Sequence, residues 1–161
     1  MSAEPERLVL DTSALFSMED LPPEADVFVT PSVLNELRKY KDRRVERWGD
    51  LLRASEATKA SITKVKEAAQ RTGDIARVSL TDVEVIALAI DLNAVLLTDD
   101  YSIQNLAVYL GVAYRPVGMK GISKVLKWRY KCVGCGRVFD KEMPECPVCG
   151  SALRTVRSRK D

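Results

Sequence analysis

The sequence predicts an α/β protein: a central parallel sheet flanked by helices, followed by a small C-terminal module built on four cysteines. Three observations carry this. Short apolar runs (Leu8-Val9-Leu10, Val27-Phe28-Val29 and Ala94 to Leu97) alternate with longer segments of helical period, the pattern of parallel strands joined by crossover helices. The first and last of these runs end on acidic residues, where open sheets bind ligands. All four cysteines fall within residues 132–149, as Cys132-Val-Gly-Cys135-Gly and Cys146-Pro-Val-Cys149-Gly.

Leu8 to Leu10 reads as a buried strand running through Asp11-Thr12-Ser13 into a helix start. Pro22-Pro23 marks a loop, and Asp26 to Val29 a second strand. Thr30-Pro31 opens a helix with Thr30 as N-cap and proline at the first helical position. Val33, Leu37 and Tyr40 are expected on its inner face, with Glu36 at the edge of that face. Lys39 to Arg47 is dense in charge and reads as a solvated helix face or, alternatively, an RNA-binding loop. Ala54 to Arg71 is expected to be helical and is stopped by Gly73. Thr81 to Glu84 approximates a capping arrangement for an apolar helix through Asn93, with Asp82 along its buried stripe. Ala94 to Thr98 is the next strand, Ile103 to Leu110 line an amphipathic helix closed by Gly111, and Val112 to Arg115 is the last strand. Gly118 to Gly121 is the expected hinge. The expected organisation is an α/β domain over 1–117, a basic linker over 118–130, and a cysteine ribbon with a basic tail over 131–161.

Asp11, Glu36, Asp82 and Asp100 are each placed by local structure on one side of the sheet, with Asp99 beside the fourth. Carboxylates so gathered repel and raise one another's pKa; a hard divalent cation, Mg²⁺ or Mn²⁺, removes that cost and supplies chemistry on a phosphodiester. Each acid taken singly has a plainer reading as a helix cap or ion-pair partner. The chain has no histidine, which excludes histidine acid–base catalysis and any histidine-dependent triad. It has no phosphate-binding P-loop and no dinucleotide fingerprint.

A Cys-x-x-Cys turn aims two thiolates at one point, and the glycine after it accepts the tight backbone turn. Two such knuckles match the four-sulfur tetrahedron of structural zinc, one ion per chain; iron can occupy the same four sulfurs. Cys132, Cys135, Cys146 and Cys149 are therefore the expected zinc ligands, and with all four positions filled the site has none left for catalysis. Two disulfides would need an oxidising compartment. The opening Met-Ser-Ala-Glu-Pro-Glu lacks the pattern of a secretion signal, so a soluble, cytoplasmic protein that makes no membrane contact is expected.

The net charge of +2 conceals an asymmetry. Residues 1–117 carry 14 Lys/Arg against 19 Asp/Glu, and residues 118–161 carry 11 against 4. A basic appendage on an acidic domain suits a polyanionic partner. Lys124, Lys127, Arg129 and Lys131 interleave with Trp128 and Tyr130, the pattern in which bases stack while cations meet phosphates; a solvated linker whose aromatics pack on the main domain is the alternative.

Val-Leu-Asp11-Thr-Ser13, Val-Leu-Asn-Glu36-Leu, Leu-Thr-Asp82-Val-Glu-Val-Ile and Leu-Leu-Thr-Asp99-Asp100-Tyr resemble the four acidic motifs of PIN-domain ribonucleases, over about residues 7–117. With the run through Asn105 and the cysteine ribbon, the chain resembles the archaeal Nin-one-binding protein family, endonucleases that trim the 3′ end of small-subunit ribosomal RNA. The resemblance implies a PIN-like fold and Asp11, Glu36, Asp82 and Asp100 as ligands of Mg²⁺ or Mn²⁺. Ser13 or Thr12 would assist, and Asp99 could share the role of Asp100. It also implies hydrolysis leaving a 3′-hydroxyl and a 5′-phosphate, with precursor small-subunit rRNA, the pre-ribosomal subunit and assembly-factor proteins as partners. The rival readings are a toxin-type PIN ribonuclease acting on tRNA or mRNA and a non-catalytic RNA-binding assembly factor.

Overall fold

The computed structural model describes residues 4–41, 43–118 and 126–159. Five parallel strands form the larger sheet: β1 (Arg7–Leu10), β2 (Asp26–Val29), β3 (Leu52–Ala54), β4 (Val95–Leu97) and β5 (Tyr114–Arg115), in the order β3-β2-β1-β4-β5. The helices are α1 (Thr12–Ser17), α2 (Pro31–Lys39), α3 (Arg44–Trp48), α4 (Lys59–Thr72), α5 (Leu80–Leu92) and α6 (Tyr101–Leu110). Strand order reverses between β1 and β4, whose register pairs Leu8 with Val95 and Leu10 with Leu97. That reversal opens a crevice beyond the carboxyl ends of the two strands.

The strands are short and apolar because both sheet faces are covered. Leu8, Val9, Leu10, Val29 and Leu96 are buried, and Val85 to Ala89 of α5 are buried on every side of that helix. An all-round apolar helix belongs in the interior, and α5 lies against β1 and β4. Each fully buried leucine or isoleucine contributes about 1.5–3 kcal/mol, which is what holds so short a strand set together.

Local signals set most boundaries. Thr30 caps α2 by accepting from the Val33 amide, with Pro31 at the first helical position, and Asp11 and Asp100 cap α1 and α6. Three expectations are corrected. Residues 54–58 are not helical: β3 pairs with β2 at the sheet edge, and α4 starts at Lys59 under a Thr58 cap. Asp91 on α5 fixes that start by accepting from the Thr58 amide and the Ser61 hydroxyl. The cap of α5 is Ser79 and not Thr81; Ser79 and Asp82 form a reciprocal capping box, which makes Asp82 the third helical residue. Tyr40 is not on the inner face of α2: it stands at the C-cap, where the chain leaves the helix, and is 68 % exposed.

The second sheet is antiparallel, in the order β7-β6-β8, with β6 (Leu126–Cys132) between β7 (Val138–Phe139) and β8 (Leu153–Arg159). Residues 126–130, read from sequence as linker, lie in β6 and pair with β8 along its whole length. The expected hinge from residue 119 onward and Lys124 lie outside the described residues. Among those described, no helix is long and apolar enough to cross a membrane.

Candidate active site

Asp11 occupies the carboxyl end of β1, at the switch point of the sheet, and is 3 % exposed. Its own amide extends the ladder to the Leu97 carbonyl, which sets the side chain beside the end of β4. The Ala14 amide donates to Oδ1 at 2.7 Å, the Ser13 hydroxyl lies 2.8 and 2.9 Å from the two oxygens, and the Thr98 hydroxyl donates to Oδ2 at 2.5 Å. Burial nevertheless pushes this carboxyl up to about 6, and the charge of Asp100 pushes in the same direction against those three donors.

Asp100 caps α6, accepting from the Ser102 and Ile103 amides through Oδ1, while its own amide donates to the Thr98 hydroxyl. Asp82 is half-buried in its capping box; burial raises its pKa, and Asp100 and Glu36 add to the rise. Glu36, half-buried on α2, accepts from the Thr12 hydroxyl at 2.5 Å. The charge of Asp100 thus acts on Asp11 and on Asp82, and that of Glu36 on Asp82, although the four acids come from four separate elements. Carboxylate oxygens are the hard donors that Mg²⁺ and Mn²⁺ prefer, but these four acids are not among the groups of three or more closely drawn ligands that the described residues form.

Asp99 and Asp100 diverge. The Asp99 carboxylate accepts from the Val117 amide at 2.7 Å and from the Gly118 amide at 3.0 Å, where the chain leaves β5. Its backbone amide donates to the Ser13 hydroxyl. Asp99 therefore clamps the chain where it leaves β5, whereas Asp100 caps α6 and its charge raises the pKa values of Asp11 and Asp82.

Sequence reading missed Thr98 as a member of this arrangement. It is fully buried, and its one hydroxyl touches both Asp11 and the Asp100 amide. Gln104 holds the Thr98 carbonyl at 2.9 Å, and Asn105 donates to the buried Asp74 at 2.7 Å, tying α6 to the turn after α4. The only available signal was a hydroxyl residue at a strand end just before two acids.

The four cysteine sulfurs lie within 4.8 Å of one another, with Cys132 and Cys149 3.2 Å apart and Cys135 and Cys146 3.8 Å apart. A tetrahedron with metal–sulfur arms of about 2.3 Å has edges of about 3.8 Å, so one ion fits between them. Among the described residues this is the one group of three or more such ligands drawn so close. The knuckles match: Gly136 and Gly150 adopt φ of +77° and +79°, and their amides return to the carbonyls of Cys132 and Cys146. At these positions a side chain would be strained.

The expected RNA contacts on β6 divide by face. Tyr130 is 5 % exposed, on the same side as the buried Cys132, so its ring is not a stacking surface: strand alternation turns it inward. Arg129 and Lys131 alternate with it, and Arg129 meets Asp140 at 3.0 Å. Lys131 stands opposite Arg154 in the ladder to β8. Lys127 pairs in register with Ser158, and Trp128 with Arg157.

The family model described as PIN domain of ribonuclease matches residues 8–92. The chain is 38 % identical to Endoribonuclease Nob1 of Pyrococcus abyssi over 96 % of both chains. It is 36 % identical to Ribonuclease VapC1 of Thermoplasma acidophilum over 91 % of this chain and 76 % of that protein. It is also 37 % identical to the 20S-pre-rRNA D-site endonuclease nob1 of Schizosaccharomyces pombe, over 57 % of this chain and 24 % of that one.

Proposed function

The chain belongs to the Nob1 family of PIN-domain endoribonucleases, and on that footing we propose that it cleaves precursor small-subunit ribosomal RNA to form the mature 3′ end. Asp11, Glu36, Asp82 and Asp100 are the proposed ligands of Mg²⁺ or Mn²⁺. The observation that carries this reading is their electrostatic coupling at the β1/β4 switch point: Asp100 raises the pKa of both Asp11 and Asp82, and Glu36 raises that of Asp82. A bound divalent cation supplies charge neutralisation there and a nucleophilic water at neutral pH.

The protein's own part is preorganisation. Three donors hold the Asp11 carboxylate in one orientation, and Thr12 does the same for Glu36. A single buried hydroxyl, that of Thr98, sets the spacing between β1 and the start of α6, and with it the spacing of Asp11 and Asp100. Ser13 orients Asp11 and receives the Asp99 amide, which makes it a positioning residue.

The four cysteines are proposed to hold zinc, whose closed tetrahedron folds the ribbon and takes no part in hydrolysis. The ribbon sheet is proposed to grip RNA. Lys131 opposite Arg154 is a like-charge cross-strand pair, which costs stability in a free sheet and is relieved against a polyanion.

Incubating the protein with a precursor fragment spanning the 3′ end of small-subunit rRNA tests the reading. One cut leaving a 5′-phosphate and a 3′-hydroxyl is expected with Mn²⁺, and none with chelator or in Glu36→Gln. Tight binding without cleavage under every divalent cation would leave an assembly factor that only binds RNA.

A further inference from the structure

Two contacts, one polar and one aromatic, join α1 to the α2 segment, one turn apart. At the first contact the Thr12 hydroxyl meets Glu36 at the carboxylate cluster. Four residues further along, Phe16 of α1 meets Tyr40 at the C-cap of α2 edge to face, with ring centroids 6.0 Å apart and ring planes inclined at 74°. Residues four apart share a helix face, so the aromatic pair stands one turn beyond the Thr12–Glu36 contact on the same side.

Neither ring is used by the core. Phe16 is 42 % exposed and Tyr40 68 %, and neither takes part in the buried cluster that holds the sheet and helices together. Two large rings left open beside a catalytic crevice, in a chain with ten aromatic residues, call for an occupant. The charge around them selects it. Four carboxylates repel a phosphate backbone, yet Arg38 and Lys39 in the last turn of α2 and Lys41 just beyond it are exposed and lie within two residues of Tyr40. Aromatic rings flanked by cations are the surface on which unpaired bases stack while their phosphates are neutralised.

We propose that Phe16 and Tyr40 form a stacking subsite for one unpaired nucleobase of a single-stranded RNA next to the scissile phosphate. The inference rests on the nuclease reading and adds to it the residues that hold one base beside the cut. Tyr40 is the more exposed of the two rings and is therefore the one a base would stack on, with Phe16 packed against it.

The test uses the full-length protein and a short unstructured RNA carrying 2-aminopurine at each position in turn, with chelator present so that nothing is cut. Wild type is expected to quench the probe strongly at one position. Tyr40→Ala should abolish that quench and weaken binding about tenfold, in the range of one lost base–aromatic stack. Tyr40→Phe should restore both. An abasic nucleotide at the quenched position should cost wild type about as much, and cost Tyr40→Ala nothing further. Tyr40 is mostly exposed, so its variants are expected to fold, which circular dichroism checks. Equal quenching by wild type and Tyr40→Ala, or additive losses for the variant and the abasic nucleotide, overturns the proposal and leaves the pair as a protein-docking surface. Failure of the nuclease reading looks different: position-specific quenching dependent on Tyr40, with no cleavage when Mn²⁺ is restored.

Discussion

The Thr98 hydroxyl donates to Asp11 Oδ2 at 2.5 Å and accepts the Asp100 amide at 3.1 Å, so one buried atom joins two strands' ends at the proposed metal site. Valine has the shape of threonine without the hydroxyl. Thr98→Val is therefore expected to keep the fold, lose about 1–3 kcal/mol because the Asp100 amide is left without its acceptor, and lower kcat about tenfold or more. Binding of RNA in chelator should not change. Thermal melts and single-turnover cleavage check this; wild-type kcat in the variant would remove Thr98 from the positioning network.

Asp11 gives a pH dependence whose sign is fixed. Its folded pKa of about 6 lies above the ordinary 3.8, so the folded state holds the proton more tightly than the unfolded chain. Without divalent cation, its contribution is present below about pH 4 and is lost as pH rises through about 6, by about 2–3 kcal/mol. The stability difference between wild type and Asp11→Asn, followed from pH 4 to pH 7.5 in chelator, should shift by that amount in favour of the variant. Saturating Mn²⁺ should reverse the comparison, because only the carboxylate gains from the cation. A pH-independent difference in chelator would show that Asp11 is not perturbed.

Asp99 and Asp100 separate by rescue. The Asp99 carboxylate accepts two backbone amides, and Oδ1 alone lies within reach of both. Asparagine retains that oxygen, so Asp99→Asn should cleave within a few-fold of wild type, whereas Asp99→Ala loosens the exit from β5 and should select cut sites poorly on long RNA. Asp100→Asn removes a charge that acts on Asp11 and Asp82 and should abolish cleavage at any Mn²⁺ concentration below saturation. If Asp99→Asn is the dead variant, the ligand assignment moves to Asp99.

The ribbon should depend on its metal. Native mass spectrometry is expected to find one zinc per chain. Cys146→Ser removes a buried ligand and should unfold the β6–β8 sheet while the β1–β5 domain melts as before. Retention of the ribbon's amide protection in Cys146→Ser, or two disulfides in the native protein, would contradict a zinc-folded module.

Removing residues 119–161 takes away a net charge of +7 and none of the four acids. RNA affinity should fall strongly, and the slope of affinity against salt should flatten as fewer phosphate counterions are released. Cleavage of short single-stranded RNA should survive at high enzyme and Mn²⁺ concentrations, since Asp11, Glu36, Asp82, Asp100 and the Phe16–Tyr40 pair remain. An unchanged salt slope would move RNA binding to the first domain, to cations such as Arg38, Lys39 and Lys41.

What the sequence determined by itself was local and periodic. Strand β2 and the Thr30-Pro31 start of α2 follow from patterning and capping chemistry within a few residues. The cysteine knuckles follow from Cys-x-x-Cys-Gly, since the positive φ at Gly136 and Gly150 is a demand each short turn makes alone. The strand-end position of Asp11 and of the Asp99-Asp100 pair was legible for the same reason. Only the tertiary structure decided which atoms meet across long stretches of chain. Thr98 finds Asp11 over 87 residues and Thr12 finds Glu36 over 24, because sheet order, invisible to periodicity, sets β1 beside β4 and α1 beside α2. It separated the neighbours Asp99 and Asp100, since a helix cap turns one carboxylate onto its own helix and leaves the other to the exit strand. It also turned Tyr130 inward and left Tyr40 outward, against the sequence pattern in both cases. A strand's partner sheet and a helix's last turn choose which face is wet, and neither choice is written in the spacing of apolar residues.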